Sequence, residues 1–425
     1  MKRLLPLNVL LLLGFLSVSL SGCLQDECEA TRTFVTFEPV YMTEAQIRQD
    51  IKIESPRALK NPGKIYVYGE YLLVNELHEG IHIINNKDPR NPLNISFINI
   101  PGNVDMAVRN NMLYADNYID LLTINIENPQ NPSLVSRTEN AFPSIGFDPT
   151  RGHIVMYNEI ATQQNVPCEW QNGGWFWQND RVFVAADALQ SFAESNRGNV
   201  SGASVNGVGG SMARFTLSGA YLYTVDNNNL NVFDVNNASK PQKANTVNVG
   251  WGIETIFPYG DNLFIGSQTG MFIFDNKNPL APTLLSTFQH ARACDPVFVE
   301  GNLAYVTLRD GTPCEGFQNQ LDIVDISSLY NPRLLKTHPM HNPHGLSVVD
   351  KTVYLCDGSA GLKVFDATDW KKLDLKSHLD HFATYDIIAL PSVNRAIVVG
   401  KDGLYQFDIT NPAKLQELSR IPVVK

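Results

Sequence analysis

At 425 residues the chain is long for one ordinary core, so it holds either two or three domains or a repeat that closes the whole length into one unit. Its 43 acidic against 33 basic residues give a net charge of −10, and no Lys/Arg cluster is present, which excludes nucleic acid as a partner. A hydrophobic fraction of 44% with 18% charged residues is that of a packed globular protein and not of a disordered one.

The chain opens with MKRLLPLNVLLLLGFLSVSLSGC, a basic start followed by an apolar core and small residues ahead of Cys23. This is the layout of a secretory signal, too short and wrongly flanked for a spanning helix. Leu20-Ser21-Gly22-Cys23 resembles the bacterial lipoprotein box, which implies cleavage after residue 22 and lipidation of Cys23. Acyl chains contribute about 0.8 kcal/mol per buried methylene, enough for several chains to hold a protein at a membrane. The acidic LQDECEATRTF that follows lacks an aspartate next to the cysteine, which in the lipoproteins it resembles favours the outer membrane and sometimes accompanies display at the cell surface. Export leaves Cys28, Cys168, Cys294, Cys314 and Cys356 in an oxidising setting, an odd number, so at least one is unpaired.

Residues 23–55 read as a tether with one short helix, capped by Thr43 with Gln46 three positions on. From about residue 56 to the C-terminus a repeat near forty residues takes over, marked by Asp88-Pro-Arg-Asn-Pro92, Asn128-Pro-Gln-Asn-Pro132, Asn278-Pro-Leu-Ala-Pro282 and looser copies at Pro241, Pro332 and Pro412. One unit divides into PVFVEG (296–301), LAYVTL (303–308), LDIVDI (321–326), an Asn-Pro turn and RLLKTH (333–338). Four short alternating strands with turn chemistry between them predict a propeller blade. Third strands recur eight times, ending at Asn85, Asn125, Asp187, Asp234, Asp275, Asp325, Asp366 and Asp408. The fold expected is therefore all-β, a single β-propeller of eight four-stranded blades over residues 56–425, with seven as the alternative; the unit around 146–187 lacks the turn and carries a long insertion. LDIVDI, LNVFDV and LKVFDA, each behind an N-x-L-x-Y-type strand, resemble the LVIVD repeat of bacterial and archaeal cell-surface proteins, which implies a propeller and leaves its activity open.

In a propeller the residues leading into each innermost strand gather on one face. Superimposing the units brings Asp105, Glu254, Asp295, His344 and Asp386 to one mouth, with Gly63, Ser144 and Ser211 at the other lead-in positions. Such a set suits a divalent cation such as Ca²⁺, which takes six to eight oxygen ligands, or it stays hydrated without one. His338, His341, His378, His381 and His290 lie in nearby loops without a recognised zinc spacing. The loop 161–180 on the same face holds Trp170, Trp175 and Trp177, suited either to stacking on a sugar or protein partner or to local burial. Cys294 and Cys314 sit in loops of one blade and are the expected disulfide, Cys28 with Cys168 the weaker pair, and Cys356 a buried hydrophobe. No G-x-S-x-G, phosphate-cradling glycine loop or H-E-x-x-H occurs, and the glycines of 198–210 read as a connection between blades.

These features together predict a monomeric, lipid-anchored envelope protein whose elaborated face binds a protein or glycan. The competing classes are a metal-assisted or sugar-cleaving hydrolase using the mouth carboxylates, and a purely structural envelope component.

Overall fold

The repeat's terminal Asp or Asn has a local cause. In the computed structural model, which describes residues 29–167, 175–178, 181–185, 198–199, 207–290, 296–309 and 319–424, that side chain accepts the backbone N–H two positions on at Asn85, Asn125, Asp234, Asp275, Asp325, Asp366 and Asp408. An Asx turn of this kind ends the third strand of a blade and frees the chain to reverse. A backbone turn follows directly, closed by Asn91 N–H to Asp88 O, Asn131 to Asn128 and their counterparts in each later unit. The prolines of the signature occupy this turn, where no ladder hydrogen bond is required of them.

Each of these units is an antiparallel sheet with neighbouring strands in chain order. Blade I contains Pro62–Tyr68, Tyr71–Glu76, Gly80–Asn85 and Leu93–Asn99; blades II to VII begin at Met106, Phe215, Ile253, Val297, Leu346 and Thr384. In all seven the register between third and fourth strands slips by one residue, as between Ile323 and Val324. A bulge there increases twist and spoils the outer edge as a template for further pairing. First and second strands meet in tight turns at positive φ, for example Asn110 and Asn111 at 49° and 62°, the geometry that matches strand twist.

The residues 39–157 and 190–425 form one compact unit, and residues 1–38 with 158–189 form another. Within the larger unit the blades stand side by side, each innermost strand packed on the next. The tyrosine of the N-x-L-x-Y strand explains part of this contact: Tyr114 Oη donates to Ala238 O at 2.8 Å and Tyr223 Oη to Pro279 O at 3.0 Å, each reaching the turn of the following blade. Outer-strand serines do the same, Ser96 to Pro129 O, Ser136 to Ser239 O, Ser286 to Leu329 O and Ser419 to Pro89 O. The last of these joins blade VII to blade I. Reciprocal amide bonds between Asn86 and Gln406 and a parallel bridge between Leu59 and Val423 complete that closure.

The protein is thus an all-β propeller. Among the described residues there are eight antiparallel sheets of four or more strands, matching the eight units read from the repeat. The ring passes through seven of them, because blade II latches directly onto blade III through Tyr114 and Ser136. The remaining sheet has the strand order Gly146–Asp148, Gly152–Pro167, Glu29–Met42, Arg181–Ala185 and Trp175–Gln178. The predicted helix is present as α1 (Glu44–Ile47), with the Thr43–Gln46 capping box formed in both directions. Arg48 beyond it bonds Asp120 of blade II at 3.1 Å.

The glycine-rich approach to blade III does more than connect. Val208–Gly209 pairs with Tyr66–Val67 on the inner edge of blade I, and Ser211–Met212 packs on innermost strands of blades IV, V and VII. Gly207 N–H donates to Val108 O of blade II, and Leu346 N–H of blade VI to Ser211 Oγ at 2.6 Å. Residues 207–213 therefore lie along the axis of the ring. Small side chains are required: a Cβ on Gly207 would fall within the Tyr66 ring and 2.5 Å from Val67 O.

Candidate functional site

Strand pairing fixes which lead-in residues are equivalent. Counting from the matched second and third strands, Lys64, Asp105, Arg214, Thr255, Pro296, Gly345 and Asp386 occupy one layer. Glu254 and His344 lie one residue earlier, so the superposition made from sequence mixes two layers. Ser211 belongs to the axial segment, and Ser144 to the chain leaving blade II. Asp295, Trp170, Cys23, Cys28, Cys168, Cys294 and Cys314 fall outside the described residues, as do the tryptophan-rich stretch 168–174 and the pairing of the cysteines. Trp175 and Trp177 lie in a strand paired with Arg181–Ala185, opposite Val184 and Val182.

The lead-in carboxylates are engaged by the protein itself. Asp105, 2% exposed, accepts Met106 N–H at 2.7 Å and the Arg214 and Phe215 N–H groups of blade III at 2.5 and 3.2 Å. Burial pushes its carboxyl above the ordinary range, and the nearby Lys64 ammonium pulls it back. Asp386 accepts its neighbour Ile387 N–H and fills the space above Gly345, where any Cβ would collide with it. Glu254 accepts Gln268 Nε2–H at 3.1 Å; burial raises it, opposed by the positive charges of Arg309, Arg214 and Lys64. Three cations at this mouth escaped the sequence reading, which searched for ligands and not for counter-charges.

His344 is buried as well. Arg309 Nη1 lies 2.6 Å from its Nδ1, and its Nε2 is 2.7 Å from Asn342 Oδ1. A guanidinium can only donate, so Nδ1 accepts and Nε2–H donates to the amide oxygen. Both ring nitrogens are thereby used, and no group of three or more metal-capable side chains occurs among the described residues. Among the described residues the mouth carboxylates and His344 thus bond to the protein's own N–H groups and lie near Lys64, Arg214 and Arg309.

Asp105 and Arg214 of this layer also border an open space. A cavity of about 790 Å³ sits where the turns of blades II and III approach each other. Its walls include His78, Asp116, Tyr118, Phe142, Ser144, Arg214, Asp226 and the amides Asn227, Asn228, Asn229 and Asn248. The sequence builds it locally. Asp226 begins the DNNN turn, accepting Asn228 and Asn229 N–H at 3.0 Å each, which leaves Asn227 and Asn228 exposed while Asn229 Nδ2 bonds back to Asp226 at 3.1 Å. Tyr118, at φ 58°, lays its ring over Gly102, where a Cβ would strike it.

Asp116 is the chemically distinctive wall residue. Its Oδ1 accepts three N–H groups, from Asn103 Nδ2 at 2.7 Å, Val104 at 2.8 Å and Asp105 at 3.0 Å. Those bonds favour the anion, yet burial dominates and Asp105 adds repulsion, so its pKa rises to about 6. Burial also holds His78 below its ordinary value. The fourfold Asn/Asp run at 226–229 was the available signal for this site.

Comparison with known families gives a match over residues 209–249 and 291–337. The chain carries LVIVD repeats. The first LVIVD match takes in the end of the axial segment with blade III, and the second covers blade V. No curated protein matches the sequence. Among solved structures the chain is similar to a periplasmic gluconolactonase of Pseudomonas aeruginosa, at 11% identity and a TM-score of 0.51 over 85% of this chain and 96% of that one. It is similar to a functionally unknown protein of Desulfotomaculum acetoxidans, at 13% identity and 0.50 over 84% and 95%. A surface component of the type-IX secretion system of Porphyromonas gingivalis is matched at 12% identity and 0.46, over 88% of this chain and 40% of that one. At such identities the first two likenesses speak to fold alone, and the third carries no argument.

Proposed function

We propose that the protein is an exported lipoprotein, held at the outer membrane through Cys23, whose LVIVD propeller binds a glycan in the cavity between blades II and III. The observation that carries this reading is the cavity itself. About 790 Å³ is room for a few sugar rings, and the walls pair planar hydrogen-bonding groups (Asp116, Arg214 and the 227–229 amides) with the rings of Tyr118 and Phe142. Planar amides and carboxylates address vicinal hydroxyls, and aromatic faces cover the apolar side of a sugar. The signal and box at residues 1–23 support the location.

The internal pairing of Asp105, Glu254, His344 and Asp386 favours this binding role over metal-assisted hydrolysis at the mouth. Glycan-array binding by the protein lacking residues 1–22, compared with an Asn228→Ala/Asn248→Ala variant, tests the reading. Both side chains are exposed, so the variant should fold and lose binding. Retention of every glycan signal by the variant, or no signal from either protein, would overturn it.

A further inference from the structure

The cavity is lined by two residues of opposite charge, Asp116 and Arg214, and among the described residues no ion pair joins them. Asp116 has all its hydrogen bonds on Oδ1, which leaves Oδ2 without one, and among the described residues it makes no ion pair. Arg214 uses its backbone N–H on Asp105, and its guanidinium forms no ion pair or hydrogen bond among the described residues. Both line the same cavity, and they do not bridge to each other. Elsewhere in this protein charges at buried positions are matched: Asp357 holds Lys363 at 2.5 Å, and Asp120 holds Arg48 and Arg137 at 3.1 Å. A half-buried carboxylate and a guanidinium with no bonding partner are costly in isolation, and a ligand carrying the complementary charges removes that cost.

The remaining charges around the cavity are accounted for. Asp226 is committed to its own turn, through Asn228 and Asn229 N–H and Asn231 Nδ2. Asp105 is committed to Met106, Arg214 and Phe215 N–H, and Lys64 offsets it. Glu254 feels Arg214 together with Arg309 and Lys64, but no hydrogen bond or ion pair among the described residues ties the Arg214 guanidinium to it.

We infer that the blade II–III cavity takes a zwitterionic saccharide, with an amine seated on Asp116 Oδ2 and a carboxylate on Arg214. This inference rests on the glycan reading above and sharpens it: neutral sugars would be held only by the amides and rings, amino-sugar acids by those and both charges. The elevated pKa of Asp116, near 6, fits a site whose anion is completed by an incoming ammonium.

Isothermal titration at pH 7.5 with four probes on one sugar frame separates the contributions: glucose, glucosamine, glucuronic acid and muramic acid, which bears both charges. Muramic acid is expected to bind about tenfold or more tighter than either singly charged sugar, the scale of a charge-assisted hydrogen bond. Asp116→Asn should erase the advantage of the amine and Arg214→Gln that of the carboxylate, each keeping the other. Circular dichroism and thermal melts confirm that the variants are folded, and Asn retains the oxygen that the three N–H donors need. Equal affinity for glucose and muramic acid, or preservation of the muramic acid advantage in both variants, would refute the zwitterion while leaving glycan binding intact. No binding of any probe, together with an empty glycan array, would remove both.

Discussion

Glu76 offers the sharpest test of how the ring is held. Its side chain is 1% exposed at the end of the second strand of blade I. It accepts His82 Nε2–H at 2.8 Å, Lys60 N–H at 3.1 Å and the Asn61 N–H. His82 is itself fully buried, packed edge-on to Phe97 at 4.7 Å and bonded to Asn94 through Nδ1 at 3.1 Å. One carboxylate thus ties the segment that carries Leu59, which bridges to Val423 and closes the ring, to the interior of the first blade. Replacing it by glutamine keeps the shape but removes the charge from three hydrogen bonds and leaves one donor facing another. With charge-assisted bonds each worth about 1.5–3 kcal/mol and part of that recovered by the amide oxygen, Glu76→Gln should cost about 2–4 kcal/mol at pH 7. Burial alone would raise the Glu76 pKa, but the bonds from His82, Asn61 and Lys60 outweigh it and the net shift is downward. A carboxylate whose folded pKa is depressed contributes stability that is fully present above its unfolded pKa and lost as pH falls through the folded one. Urea titrations of wild type and variant should therefore differ at pH 7 and converge as the pH drops below the usual glutamate range. A difference under about 1 kcal/mol at pH 7, or one that persists unchanged to pH 3, would refute the reasoning.

The other expectations concern the axis, the blade contacts and the cavity. Gly207→Val should destabilise the ring by about 1–3 kcal/mol, read by thermal melt, because the axial segment has no room for a branched side chain against Tyr66 and Val67. Tyr114→Phe should cost about 0.5–1.5 kcal/mol through the lost bond to Ala238 O, measured by urea titration, with no effect on probe binding at the cavity. Amine-bearing probes should bind Asp116 more weakly as pH falls from 7.5 through about 6, while neutral sugars keep their affinity. The other titratable and charged groups on the cavity are Asp105, Asp226, His78 and Arg214, and Asp116→Asn should flatten the profile if Asp116 is its source.

The blade was legible because its punctuation is local chemistry. An Asp or Asn that caps a strand, a turn that begins three residues later and a tyrosine at a fixed place in the second strand all act within about forty residues, and each has a physical role visible in the structure. The path of the ring was less legible, since it depends on which blades touch. Gly146–Ala185 supplies strands of the right length and alternation and so reads as one more blade. Long-range contacts such as Tyr114 with Ala238 and Ser136 with Ser239, more than a hundred residues apart, place blade II beside blade III.

The site was the harder inference, for a reason that follows from strand geometry. Successive side chains of a strand face opposite ways, so an alignment off by one residue exchanges one set of directions for the other. Asp105 and Asp386 share a layer with Lys64 and Arg214, whereas Glu254 and His344 belong to the layer before them. Taken as one ring, the acidic members suggest a cation cage; taken by layer, Asp105, Glu254 and Asp386 each have a cation or N–H donors of the protein within reach. The cavity beside this layer is built from the end of a second strand, at Asp116, and from a turn, at 226–229, where the repeat does not constrain the residues. The third-strand aspartates recur because every blade must reverse its chain. Asp116 and the 226–229 amides do not recur, and residues that a repeat leaves free to differ are where a ring of near-equivalent blades can hold a ligand on one side only.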